Sequence, residues 1–221
     1  MYGIVKDNLL RIQKEIEPCQ PKIIAVTKYY GADAIIGAYD AGLRNFGESR
    51  AIEACEKISS LPQEVRSNSK FHFIGHLQTN KVKNVVGVFD YIHSVDSVKL
   101  AQCISQTAKN EGIVQKILIQ VNNAEEEQKF GFSKSDAYES FQQIKQLEGV
   151  EVIGVMNMAP LGASDGELHS LFSGVRELRD DLEVKYNCKL PELSMGMSQD
   201  YKIAALEGAT MLRIGRKLFT Y

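Results

Sequence analysis

Apolar positions in this chain switch repeatedly between a helical period and short continuous runs, and that switching predicts its architecture. Residues 3–17 carry Ile4, Leu9, Ile12 and Ile16 at helical spacing, and Pro18 stops them. Ile23–Gly31 is a run rich in branched residues, bounded by Pro21 and Gly31, with the pattern of a buried parallel strand. Ala32–Ala41 predicts a helix with Ile35, Ile36 and Tyr39 on one stripe, stopped by Gly42. Leu43–Glu48 predicts a second strand, and Ser49 is placed to cap a helix running through Ser59. Strands are then expected at 70–75, 90–95, 114–121, 150–156, 193–197 and 210–214. Between them the spacing predicts helices at 79–88, 97–110, 133–147, 166–186 and 200–208. Ser133, with Asp136 three residues on, forms a variant of the capping box. Asn122–Lys129 reads as a polar loop, followed by a Phe130-Gly131-Phe132 turn.

Eight strand–helix units without a linker or low-complexity break predict an α/β fold. The arrangement expected is a closed (β/α)8 TIM barrel behind an extra N-terminal helix, as one domain over 1–221. No GxGxxG follows the first strand, which argues against a dinucleotide fold.

Composition narrows the partners. The net charge is −2, from 26 Lys and Arg against 28 Asp and Glu, and no basic patch interleaved with aromatics is present. Nucleic acid and anionic membrane surfaces are therefore not expected. No apolar run approaches the roughly 20 residues that span a bilayer, and the N-terminus lacks a signal-peptide pattern, so the expected location is the cytoplasm. Cys19, Cys55, Cys103 and Cys188 lie far apart, without disulfide or zinc spacing. His72 and His76 resemble a metal pair, but on an extended segment a structural role is the better reading.

The chemistry gathers where such barrels carry their sites, at the C-terminal ends of the strands. Lys28 is expected at the C-terminal end of the first strand, on the same side as Ile24 and Val26, because side chains alternate. An amine held against that wall favours the neutral nucleophile that imine chemistry with an aldehyde requires. The plainer alternative is a lysine reaching from a strand end into solvent. Ser194–Asp200 runs from a strand through Gly196 to a helix start, with Ser198 and Asp200 as candidate N-caps, and exposed amides there plus the Ser198 hydroxyl make a site for phosphate. Arg213-Ile214-Gly215-Arg216 follows, a strand end whose glycine admits an anion close to the backbone. An amine for an aldehyde, a phosphate cradle and an arginine between them point to pyridoxal 5'-phosphate. Lys28 would then hold the aldehyde, Arg213 would face the pyridine nitrogen, and Ser198 with Gly215 and Arg216 would hold phosphate. Glu48 and Asp200 do not fit the usual carboxylate partner of that nitrogen.

These segments carry a resemblance. Ala25-Val26-Thr27-Lys28, Asn45-Phe46-Gly47-Glu48, His72 through Lys81, Gly154 through Pro160, Leu193–Asp200 and Arg213-Ile214-Gly215 together resemble the pyridoxal phosphate homeostasis protein family. That family is similar to the N-terminal barrel of alanine racemase, the fold-type III architecture. The resemblance implies an internal aldimine on Lys28, Arg213 at the ring nitrogen, and Ser198, Gly215 and Arg216 at the phosphate. It also implies that Asn45 and Met156 line the cofactor. The chain departs from the family at Ser49, where Asn usually follows Phe-Gly-Glu, and at Phe132, where Leu is common.

The function implied is a binding protein that holds pyridoxal 5'-phosphate and balances vitamin B6 and amino-acid pools without strong catalysis. It would act as a monomer, with pyridoxal-phosphate-dependent apoenzymes as the protein partners to consider. The alternatives are a fold-type III amino-acid racemase or decarboxylase, and a Schiff-base aldolase acting through Lys28. A racemase adds a β-domain and a tyrosine from a second subunit, and Arg213 disfavours strong carbanion chemistry.

Overall fold

A computed structural model describes residues 3–122 and 130–220. Eight parallel strands close into a barrel in sequence order. They are β1 (Lys22–Val26), β2 (Asn45–Glu48), β3 (Lys70–Phe73), β4 (Tyr91–Val95), β5 (Gln115–Val121), β6 (Val150–Asn157), β7 (Glu192–Met197) and β8 (Met211–Ile214). The helices are α1 (Gly3–Glu15), α2 (Ala32–Asp40), α3 (Ala51–Ser59), α4 (Gln63–Ser67), α5 (Val82–Val85) and α6 (Val98–Asn110). Then come α7 (Lys134–Lys145), α8 (Asp165–Tyr186), α9 (Tyr201–Leu206) and α10 (Arg216–Phe219). The expected barrel and its extra first helix are both present. Asn8 on α1 donates to the carbonyls of Leu218 and Thr220, 3.0 Å each, so the added helix is fastened to the end of the chain.

Alternation along the strands divides the core. Ile23, Ala25, Phe46, Phe71, Phe73, Leu193, Met195 and Leu212 belong to the large cluster between barrel wall and helices. Inside the barrel a much smaller apolar group, Leu118, Ile153 and Met156, packs with Tyr91 and Met158. Polar groups share the interior with it. His93 on β4 bonds Ser194 on β7, and since those strands are not neighbours, the contact crosses the lumen.

The barrel's stagger decides which residues share a level. One register row runs from Arg213 to Ile24, Asn45 and Lys70. It passes from the third residue of β8 to the first residues of β2 and β3, so it descends toward the N-terminal end.

Several expectations are corrected. β1 stops at Val26, so the alternation that would place Lys28 beside Ile24 does not reach it. The N-cap of α3 is Arg50, without a side-chain cap hydrogen bond, and not Ser49. The helix expected over 79–88 is a 3-10 turn, Thr79–Lys81, followed by the single turn of α5. α4 and α10 were not legible, since a one-turn helix shows no period. α8 starts at Asp165 under a capping box between Ser164 and Glu167, just before the expected start. Ser133 caps α7 as expected, accepting from the Asp136 amide at 3.1 Å. Most of the loop read at Asn122–Lys129 lies outside the described residues. No helix among the described residues is long and apolar enough to cross a membrane.

Candidate cofactor-binding site

Lys28 sits in a tight turn just past β1, closed by the Tyr30 amide donating to the Thr27 carbonyl at 2.9 Å. Its side chain is half-buried, with Nζ 5.0 Å from the centre of the Tyr29 ring. Two anchors hold the turn. On one side the buried Glu48 carboxylate accepts from Thr27 Oγ1 at 2.6 Å and from Lys57 Nζ at 2.8 Å, and Lys57 also donates to the Thr27 carbonyl at 2.9 Å. On the other, the Tyr30 ring packs on Phe219 of α10.

Arg213 points into the barrel from β8 and is almost wholly buried. Its Nη1 donates to both the carbonyl and the hydroxyl of Ser194, 2.7 Å each, and Nη2 donates to the Asn157 carbonyl at 2.8 Å. Burial pulls this guanidinium down to about 10, while Asp200 acts the other way, so it is charged at neutral pH. Burial in turn raises Asp200, whose carboxylate is spent on the Met197 amide. Asp200 therefore does not cap α9 through its side chain.

Ser198 does not cap α9 either. Its hydroxyl accepts from the Gly215 amide at 3.3 Å and the Lys217 amide at 3.5 Å, bridging the loop after β7 to the start of α10. Arg216, the first residue of α10, is exposed.

Lys28, Ser198 and Gly215 thus stand just after β1, β7 and β8, with Arg216 opening α10, at one end of the barrel, and Arg213 lies just below on β8. Met156 lies deeper, fully buried in the lumen and in register with Ser194. Asn45 is not at that end. It is the first residue of β2 and accepts from or faces His72 Nε2 at 3.1 Å, and it borders a groove with Gln20, Pro21 and Arg44 on the opposite face.

His72 and His76 diverge. His72 is enclosed in the barrel, stacked 4.5 Å from Tyr91, whereas His76 stands at the rim against Phe130 and bonds Asp96 at 3.1 Å. No group of three metal-ligating side chains exists among the described residues. A cavity of about 280 Å³ near this rim is lined by Ser49, Arg50, His76, Gln78 and Lys81, but not by Lys28 or Arg213.

Sequence reasoning missed Lys57, His93 and the role of Ser194. A signal was available for the last two, since a polar residue in an apolar strand has to find a partner inside. Lys57 had none, lying on the polar face of a surface helix.

A closed barrel with this rim belongs to the alanine racemase type. The chain matches the sequence model "Alanine racemase, N-terminal domain" over residues 3–221. It is 39% identical over 216 residues to the pyridoxal phosphate homeostasis protein of Aquifex aeolicus, covering 96% of this chain and 93% of that one. The human protein of the same name is 33% identical over 234 residues, covering 97% and 82%. A structure of PipY from Synechococcus elongatus with pyridoxal phosphate bound aligns with TM-score 0.88 at 36% identity, covering 98% and 100%. An alanine racemase from Clostridium difficile shares the fold at 15% identity and TM-score 0.77, with 55% of its length covered. This chain belongs to the pyridoxal phosphate homeostasis protein family.

Proposed function

We propose that this chain binds pyridoxal 5'-phosphate and serves vitamin B6 and amino-acid homeostasis, holding the cofactor without strong catalysis of its own. The observation that carries the reading is a juxtaposition. The turn bearing Lys28 is clamped through Tyr30 and Phe219 to the helix that starts at Gly215 and Arg216, while Arg213 lies two residues below on the same strand.

The residues present suit the group. Among the described residues, Nε and one Nη2 hydrogen of Arg213 meet no acceptor, so the guanidinium has donors to spare. Asn157 Oδ1, beside it, is buried without a partner. A Cβ on Gly215 would meet Val26 at 3.4 Å, an ordinary contact, so packing does not demand glycine there. Its bareness supports close approach of an anion to the backbone.

When bound, the cofactor supplies an aldehyde and an electron-withdrawing ring. Lys28 offers the amine, and Ser198 with the Gly215 and Arg216 backbone holds the phosphate. Met156 walls the space below, while Asn45, near the other end, acts on the site only through His72. Arg213 has donors alone and cannot take a proton, so a ring nitrogen facing it stays unprotonated and withdraws electrons weakly. That favours holding over turnover, and the relatives' names denote homeostasis, not a reaction. The same reading takes 1–221 as a single domain, cytoplasmic and monomeric, with pyridoxal-phosphate-dependent apoenzymes as recipients.

The test is an absorbance spectrum of the purified protein with added cofactor, before and after borohydride, with the labelled peptide mapped. A reducible band with its label on Lys28, and no turnover of added amino acids, supports the reading. A colourless protein that takes up no cofactor defeats it, and steady turnover would return the racemase or decarboxylase alternative.

A further inference from the structure

The barrel interior holds a chain of polar groups that the binding reading does not use. From Arg213 it passes to Ser194 Oγ at 2.7 Å and then to His93 Nδ1 at 2.8 Å. From His93 Nε2 it passes to His72 Nδ1 at 2.9 Å, and from His72 Nε2 to Asn45 Oδ1 at 3.1 Å. It runs from β8 through β7, β4 and β3 to β2, crossing the lumen at the step from β7 to β4.

The direction of every bond follows from its last member. The Asn45 amide oxygen only accepts, so neutral His72 carries its hydrogen on Nε2 and its Nδ1 accepts from His93 Nε2. His93 Nδ1 in turn accepts the Ser194 proton, while Ser194 Oγ accepts from the guanidinium. Both rings are wholly buried, and burial holds both neutral at ordinary pH, as this sequence of donors requires. The chain adds no counter-charge to Arg213. What it adds is direction: Ser194 Oγ, deprived of any freedom to rotate its proton, shows Arg213 a fixed lone pair.

Filling a lumen with aliphatic side chains avoids the desolvation cost of two imidazoles and a hydroxyl. Leu118 and Met156 show that this barrel uses them elsewhere. We propose that Ser194, His93 and His72 are positioning residues that aim the Arg213 guanidinium at the rim, Asn45 terminating their chain from the far side. The proposal rests on the placement of Arg213 given above.

The experiment has two arms. In the protein without cofactor, nitrogen–proton NMR of the imidazoles should show both His72 and His93 as Nε2–H tautomers with slow exchange. A hydrogen on Nδ1 of either ring would overturn the proposal, whether or not the protein binds the cofactor. In the second arm Ser194→Ala, Ser194→Thr and His93→Phe are titrated with pyridoxal 5'-phosphate after circular dichroism confirms folding. Ser194→Ala and His93→Phe should weaken retention about tenfold and shift the absorbance band, and Ser194→Thr should restore both. If Ser194→Ala binds with the unshifted band of the parent protein, main-chain carbonyls alone aim Arg213 and the proposal fails while the binding reading stands. If the parent protein takes up no cofactor, the binding reading fails and the proposal with it, whatever the tautomers.

Discussion

The ring of Tyr30 stands 4.7 Å from that of Phe219, tilted by 39°, and this contact joins the exit of the first strand to the last helix. It sets the Lys28 turn against the segment that starts at Gly215. Removing it separates two halves of the rim without touching either. Tyr30→Ala should lower stability by about 1 kcal/mol and loosen cofactor retention, while Tyr30→Phe keeps both. A thermal melt of the free protein and equilibrium dialysis of pyridoxal 5'-phosphate read the two effects separately.

The opposite anchor of the turn is ionic. The Glu48 side chain is 2% exposed and that of Lys57 14%, so the pair is shielded from water. Lys57→Met strands the carboxylate and should cost about 3 kcal/mol in urea unfolding. Adding Glu48→Gln to that variant should recover part of the loss, because no unpaired charge then remains. A double variant as unstable as the sum of the singles would show that the two residues do not act together.

Acid should weaken the fold before the carboxylates titrate. Burial lowers His72 from 6.5 to about 3, helped by the charges of Lys22 and Lys70, and lowers His93 well below 6.5. The unfolded chain therefore binds more protons than the folded one over this range, and stability falls as pH drops from 6.5 toward 3. Glu15 and Glu207 are lowered from 4.5, so their losses begin further down. The urea midpoint should fall between pH 7 and about pH 5, and His72→Gln should flatten that slope. An unchanged midpoint across the interval in the parent protein would contradict the enclosed imidazoles.

The parts legible in the sequence share a cause, and so do the parts that were not. The barrel announced itself because eight apolar runs alternate with amphipathic stretches, and each long helix carried a stripe such as that of Ile104 and Ala108. Arg213 and Gly215 were readable because a polar residue ending a buried run is conspicuous. Lys28 was placed at the right end for an incomplete reason: its strand stops two residues earlier, and a turn aims it. The height of Asn45, the first residue of β2, was not legible because strand direction says nothing about height in a staggered barrel. Ser194 and His93 gave no hint of each other, 101 residues apart in sequence and bonded only once the sheet has closed.

Gly154 shows how closely β6 and β7 approach. A Cβ there would lie 1.9 Å from the Glu192 carbonyl oxygen, and main chain cannot yield as a side-chain tip would. Gly154→Ala should cost about 3 kcal/mol and lower the melting temperature by roughly 10 °C. Ala at Gly162, which has no heavy atom within 4 Å of an added Cβ but a φ of +81°, should act through backbone strain alone and cost less. Differential scanning calorimetry of the two variants distinguishes collision from strain.

Closure of the sheet makes synthesis order matter. β1 is flanked by β2 and by β8, so one edge of the first strand stays open until Met211–Ile214 has been made. A nascent chain leaving the ribosome carries that edge exposed for most of its translation, with parallel pairing that forms slowly and invites association with other chains. The rim suffers the same delay, since Tyr30 waits for Phe219. The rim is therefore among the last parts of the barrel to be assembled, completed only when the segment after β8 has been made.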